Sequence, residues 1–244
     1  MEENKTTFID VICNHAMLEI ADIRLQTEMG ISPAQFFRKM SLYVINAVPR
    51  FNRPPEAREW LKFTAPNYDD MEYIVPAGYD GSGNLTITTD KTGYDMCSVV
   101  KKEEDGYGAY NYIPVTGIEY DAETGTIVIE EGYADSGDVL EIDFYTDGVF
   151  DRELGWDMKD ILGLLIQYGW EFRFANDFLL QQPKIKDKSF DVGNEANHMR
   201  ASTERMRFLS ERINQRLKMF EQGIAYRNVV LDGNPPVSYE PENP

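Results

Sequence analysis

The feature that most limits what this chain can become is a double change of hydrophobic period. Apolar residues recur at three- and four-residue spacing up to about residue 66, at two-residue spacing from Tyr68 to Gly148, and at helical spacing again after Phe150. A helix buries one stripe and a strand buries alternate side chains, so a segment patterned for one cannot hide its apolar set in the other. The chain therefore reads as α+β. A helical bundle built from 1–66 and 149–231 is interrupted at 67–148 by an antiparallel β-sandwich or small β-barrel module, and an extended proline-rich tail follows at 232–244.

Within the first helical part, Phe8, Ile9, Ile12, Ala16, Ile20 and Ile23 predict an amphipathic helix from Thr6 to about Thr27, opened by a Thr7/Asp10 capping box and ended near Gly30. Ser32 as N-cap and Pro33 at the first helical position open a second, with Phe36, Phe37, Met40, Tyr43, Val44 and Ala47 on its stripe and Pro49 as its stop. Pro54-Pro55, Trp60 and Phe63 mark a turn and a short helix before Pro66. The alternating region predicts strands at Met71–Val75, Leu85–Thr89, Cys97–Lys101, Ile113–Tyr120, Thr126–Glu130 and Val139–Tyr145, parted by glycine turns at Gly78–Asn84, Asp121–Gly125 and Tyr133–Gly137.

After Phe150, Leu154, Met158, Ile161, Leu162 and Leu165, continued by Tyr168, Trp170, Phe172, Phe174 and Phe178, predict a helix buried over much of its circumference. Gln182-Pro183 breaks it, a loop covers Lys184–Gly193, and Asn194 caps a long last helix. Met199, Met206, Leu209, Ile213, Leu217, Phe220 and Ile224 form a seam there close to a heptad repeat. Arg200, Arg205, Arg207, Arg212, Arg216 and Lys218 are placed on its opposite side.

The net charge of −18 is unevenly spread. Asn67 to Asp151 holds 20 acidic and 3 basic residues, a net of −17, whereas Lys184 to Lys218 holds 9 basic and 5 acidic, a net of +4. Phosphate binding needs Lys and Arg to displace counterions, so the middle region is no nucleic-acid platform. It is a solvated surface or a wall that polyanions pass without adhering. No apolar run approaches the length that spans a bilayer, and Glu2 and Glu3 stand where a signal peptide needs positive charge, so we expect synthesis in the cytoplasm and no membrane partner. Cys13 and Cys97 are too few for a disulfide framework or a thiolate zinc site.

Chemistry finds few candidates. The two histidines, His15 and His198, lie in no nucleophile motif, and no phosphate-cradling glycine loop is present. Asp69-Asp70, Glu130-Glu131 and Asp135 with Asp138 are carboxylate pairs in turn-like or strand-end contexts. Asp80-Gly-Ser-Gly-Asn84 begins like a calcium loop but has Leu85 at the sixth position and Lys91 at the twelfth. We therefore expect no catalytic residues, no metal and no cofactor, and a protein that is not an enzyme.

Two stretches carry a family resemblance. Ile118 to Tyr145, with Tyr120-Asp121, Thr124-Gly125 and Ile127 leading in and Gly137-Asp138 and Leu140 leading back, is similar to hairpins of many virion proteins. Asp151 to Asn228, with Leu154, Asp160-Ile161-Leu162, Trp170, Lys186-Asp187, Phe190, Asn197-His198 and Tyr226, resembles the helical pair of phage neck proteins. Together they resemble the head-to-tail connector, or adaptor, proteins of tailed bacteriophages. The resemblance implies a homo-oligomeric ring, in most cases dodecameric, at the head–tail junction of a virion. Such a ring docks on the portal protein and on adjacent tail or ring proteins and surrounds a passage for DNA. On that reading Met206, Leu209, Ile213, Leu217, Phe220, Arg205, Arg212 and Arg216 form the candidate interface. Two alternatives stay open: a tail or baseplate protein binding carbohydrate through Tyr107, Tyr110 and Tyr112, and a carboxylate-based wall hydrolase.

Overall fold

The computed structural model describes residues 5–17, 20, 32–104, 107–181 and 192–231; of these, the side chains of 174–181, 192–199 and 226–231 are left aside. The chain is mixed α+β with antiparallel sheets. Among the described residues the elements in order are α1 (Phe8–Val11), a π-helical turn (Ile12–Ala16), α2 (Pro33–Ala47), a 3-10 turn (Val48–Arg50), α3 (Ala57–Trp60), nine strands, α4 (Trp156–Gln181) and α5 (Val192–Leu231). The strands are β1 (Phe63–Thr64), β2 (Asn67–Ile74), β3 (Leu85–Thr88), β4 (Met96–Glu104), β5 (Tyr110–Val115), β6 (Ile118–Asp121), β7 (Thr126–Ile129), β8 (Val139–Thr146) and β9 (Val149–Phe150). Among the described residues no helix is long and apolar enough to cross a membrane.

Among the described residues two apolar clusters form. The first joins Phe8, Ile12, Met40, Val44, Phe51 and Leu61 with α4 and α5. The second gathers Leu85, Ile87, Val99, Ile127, Ile129 and the β8 residues Leu140, Ile142 and Phe144. A four-stranded sheet ordered β2-β8-β4-β5 and a three-stranded sheet ordered β3-β7-β6 both feed this second cluster. The short pair β1-β9 lies with the first, where Phe63 and Phe150 meet Phe8 at ring separations of 5.1 and 5.2 Å.

Strand β8 lines the second cluster with one face and meets the helices with the other, because side chains alternate along a strand. Leu140, Ile142 and Phe144 face the β core, and Asp143 and Tyr145, continued by Asp147 just past the strand's end, face the helices. Ser32 caps α2 by accepting from the Gln35 N–H at 3.2 Å, and its hydroxyl donates to Asp143 at 2.9 Å. The Tyr68 hydroxyl donates to the other oxygen of Asp143, and the Arg38 guanidinium lies 3.7 Å over the Tyr68 ring. Asp147 accepts from the Ile9 N–H in the first turn of α1 at 2.8 Å and from the Tyr145 hydroxyl at 2.9 Å. Asp143 and Asp147 thus both sit beside a helix N-terminus, where the unpaired N–H groups and the helix dipole favour negative charge.

The capping box is present, with Thr7 and Asp10 bonded in both directions, but the first helix is shorter than its stripe predicts. It loosens into a π turn at Ile12–Ala16, and Ile20 lies outside any helix; Ile23, Thr27 and the Gly30 stop are outside the described residues. The π turn packs on α4 at Gly163, where a Cβ would come within 2.9 Å of His15 Cβ and 3.0 Å of its backbone carbon, so only glycine permits the approach. The expected single strand Ile113–Tyr120 is two strands in different sheets, β5 and β6. The chain bends at Thr116-Gly117, and a Cβ on Gly117 would meet the Tyr133 ring at 2.5 Å. Pro114 fits this arrangement because β5 is an edge strand, where its missing N–H costs no ladder bond. Asn194 lies in the first turn of α5 instead of capping it. The Gln182-Pro183 break, most of the Lys184–Gly193 loop and the 232–244 tail are outside the described residues.

The burial of Asp147 has a measurable consequence. Burial pushes its carboxyl up from the ordinary value of 3.8, against the opposing pull of the bonds from Ile9 and Tyr145. A folded-state pKa above the unfolded one means that the native state holds the proton more tightly. The stabilisation is present at low pH and is lost as pH rises from 3.8 through the folded-state value. In urea titrations between about pH 3.5 and 6.5, wild type should lose stability with rising pH relative to Asp147→Asn. A difference between the two proteins that is flat or rises with pH contradicts this account.

Candidate functional site

The surfaces available for function are set by how α4 and α5 pair. Arg205 Nη1 lies 2.9 Å from Glu171 Oε1 and Arg216 Nε lies 3.3 Å from Asp160 Oδ2. The two arginines are eleven residues apart and so are the two acids, in reversed order, so the helices run antiparallel in register. Ile161 to Ile166 of α4 are buried without interruption, as the sequence predicts. Trp170 is fully buried, while Phe172 is exposed; the side chains of Phe174 and Phe178 lie outside the described set.

Leu209, Ile213 and Leu217 are buried against α4, with Met206 and Phe220 half-buried beside them. Phe220 stands edge-on to Phe51 at 5.7 Å and to Trp60 at 6.3 Å. The seam Met206, Leu209, Ile213, Leu217, Phe220 is therefore occupied within the chain, and a partner meets at most its rim. Arg205, Arg212 and Arg216 do not oppose this seam. At about 100° per residue Arg205 lies only about 40° from Leu209, and Arg212 and Arg216 fall on the same side. They flank the seam, and Arg205 and Arg216 tie α5 to α4. The face opposite the seam carries Arg200, Arg207 and Lys218, with Arg207 bonded to Glu211 at 3.0 Å.

A second series on α5 remained unread in the sequence. Phe208, Arg212, Gln215 and Met219 follow the spacing i, i+4, i+7, i+11, which puts them on one flank. Phe208 is 63% and Met219 56% exposed, and the four residues with Glu211 and Arg216 line one shallow depression. A mixed stripe with two large apolar ends and a cationic middle is the composition of a contact face.

The β region presents the opposite charge. Its three basic residues are all engaged. Lys91 meets Asp69 at 2.5 Å, Lys101 meets Asp138 at 3.0 Å and Glu103 at 3.1 Å, and Lys102 meets Glu141 at 3.5 Å. Glu119, Glu123, Glu130, Glu131 and Asp135 remain on the surface. Of the carboxylate pairs, Asp69 is bound by Lys91, and Asp138 accepts from the Asp135 N–H at 2.7 Å to close a turn. Asp80 accepts from both the N–H and the hydroxyl of Ser82, so it serves its own turn. Tyr107, Tyr110 and Tyr112 are exposed at the free side of the β4–β5 hairpin, Tyr107 at 96%, and Lys102 Nζ lies 4.5 Å over the Tyr110 ring.

His15 is buried against the Trp156 ring at 4.6 Å, and burial pushes its pKa down. Burial and the nearby Asp143 push the Cys97 thiol up to about 12, which keeps it protonated; Cys13 is exposed, and its thiol is also raised. The side chain of His198 lies outside the described residues.

The two kinds of arginine on α5 should behave differently. Arg205→Ala leaves the buried Glu171 carboxylate without its cation and should cost on the order of 1–3 kcal/mol in chemical denaturation. Arg207→Ala removes an exposed pair and should change stability by no more than about 0.5 kcal/mol. Equal effects from the two would show that the α4–α5 register does not depend on Glu171.

Comparison with known proteins adds no relative: no family model, no curated protein and no solved structure matches this chain.

Proposed function

We propose that this chain is a structural assembly protein without catalytic chemistry, whose copies join into a ring at the head–tail junction of a phage particle, dock on the portal and surround a passage for DNA. In this reading 1–66 with 149–231 is a helical body, and 67–148 is an inserted two-sheet module. The observation that carries it is the exposed Phe208–Met219 flank on a helix whose other seam is already filled. A ring requires each copy to offer two different faces that fit one another. The flank, with Phe208 and Met219 at its ends and Arg212 between them, is the first face, and the acidic β module of the next copy is the second. The same acidity along a channel would let DNA slide with little adhesion.

Negative-stain imaging of the purified full chain, alone and after capture of partners from its source, tests this. Closed rings recovered with a portal-like partner are expected, and Phe208→Glu with Met219→Glu should abolish them while leaving the thermal midpoint unchanged, because both side chains face solvent. A chain that stays monomeric at every concentration, or rings that survive the double substitution, would overturn the reading.

A second reading rests on Tyr107, Tyr110 and Tyr112, whose exposed rings at one end of the β4–β5 hairpin could stack on sugars. It predicts binding on a glycan array that Tyr110→Ala weakens at least about tenfold; an array without signal removes it.

A further inference from the structure

The stretch from Thr7 to Ala16 is bonded to the rest of the molecule at one end only. At the start of α1 the Phe8 N–H donates to the Gly148 carbonyl at 2.9 Å, the Ile9 N–H donates to Asp147 at 2.8 Å, and Thr7 pairs with Val149. The first turn is thereby tied to the end of β8 and to β9. The π turn that follows closes on itself, with the Met17 N–H donating to the Ile12 carbonyl five residues back. Among the described residues no hydrogen bond joins Ile12–Ala16 to α4. Packing alone holds them: Ile12, His15 and Ala16 are buried, and His15 comes close to α4 where Gly163 has no side chain to keep it off.

The centre of this contact is a titratable ring. The His15 imidazole, only 7% exposed, meets the Trp156 ring at 4.6 Å in an edge-on arrangement, and among the described residues it makes no hydrogen bond. Trp156 lies at the surface, 71% exposed, so a small outward movement of the turn brings the imidazole into water.

We propose that His15 is a proton-operated latch on the contact between the π turn and α4. The neutral ring keeps Ile12–Ala16 seated on α4. The protonated ring leaves Trp156 and lets that turn open, while the first turn of α1 stays fixed on β8 and β9. Opening bares Ile12, Ala16 and the α4 surface around Gly163.

Two charged groups of α4 face the ring: Asp160 favours the imidazolium and Lys159 opposes it. Asp160 is already paired with Arg216 at 3.3 Å, and among the described residues α1 and α2, which also pack on the turn, set no charge against the ring. Burial outweighs Asp160 and holds the imidazole below its ordinary 6.5. Opening hydrates the ring and restores the ordinary value, so the open form binds the proton more tightly. The open fraction therefore rises as pH falls below 6.5, by up to about tenfold per pH unit, until the pKa of the closed ring is reached.

Amide hydrogen exchange of the full chain, followed residue by residue by NMR between about pH 7 and 5 and corrected for intrinsic rates, tests the latch. Amides of the π turn should lose protection about tenfold across that range, and those of β8 should keep theirs. His15→Phe keeps an uncharged ring beside Trp156 and should abolish the pH dependence. Asp147 titrates in both proteins, so the difference between them belongs to the imidazole. In His198→Gln, where His15 is the sole imidazole, the NMR titration should place its pKa below 6.5. That value needs no change at His15 and decides the matter even where the Phe variant does not fold. A His15 pKa at or above 6.5, equal pH dependence with and without the imidazole, or loss of β8 protection together with the turn would each overturn the latch.

Discussion

Two carboxylates on one side of β8 hold the two apolar cores together. Asp143 and Asp147 are buried, and burying such groups without partners would cost several kcal/mol each. Both are held at the N-termini of helices by hydroxyls and backbone N–H groups, so the strand and helices α1 and α2 stabilise one another. From this joint the remaining packing follows: α2 lies on α4, and α4 sets the register of α5. The arrangement has geometric specificity that an apolar joint would lack, because a one-residue slip of β8 would turn both acids into the β core.

The alternation that reveals this was present in Leu140-Glu-Ile-Asp-Phe-Tyr-Thr-Asp147, and its meaning was only half legible. Leu140, Ile142 and Phe144 read as a core face, and they are one. Asp143 and Asp147 read as members of a solvated acidic surface, because a sequence does not reveal which helix ends will arrive at the other face of a strand. Caps, by contrast, are local. Thr7 with Asp10 and Ser32 with Pro33 were readable because every group involved lies within four residues.

The long helices show the same division between local and tertiary information. Helical spacing identified the Leu209–Ile213–Leu217 seam, but it could not say whether the seam meets α4 of the same chain or a neighbour. The arginines were harder, since long side chains flanking a seam and those opposing it alternate along the sequence in much the same way. Phe208 and Met219 remained unread because each stands among charged residues; only the flank that α4 leaves open makes them a pair. Gly117 was similarly opaque, since the bend between β5 and β6 depends on a Tyr133 ring sixteen residues away.

Among the described residues the four-stranded sheet has two open edges, and neither invites extension. β2 sets exposed Asp70 and Glu72 along one margin, and β5 places Pro114 within the other, beside exposed tyrosines. Charge and proline at sheet margins are the features that keep free strands from recruiting further strands. Copies of this protein brought to high local concentration are thereby steered away from endless β-polymerisation through these two strand edges.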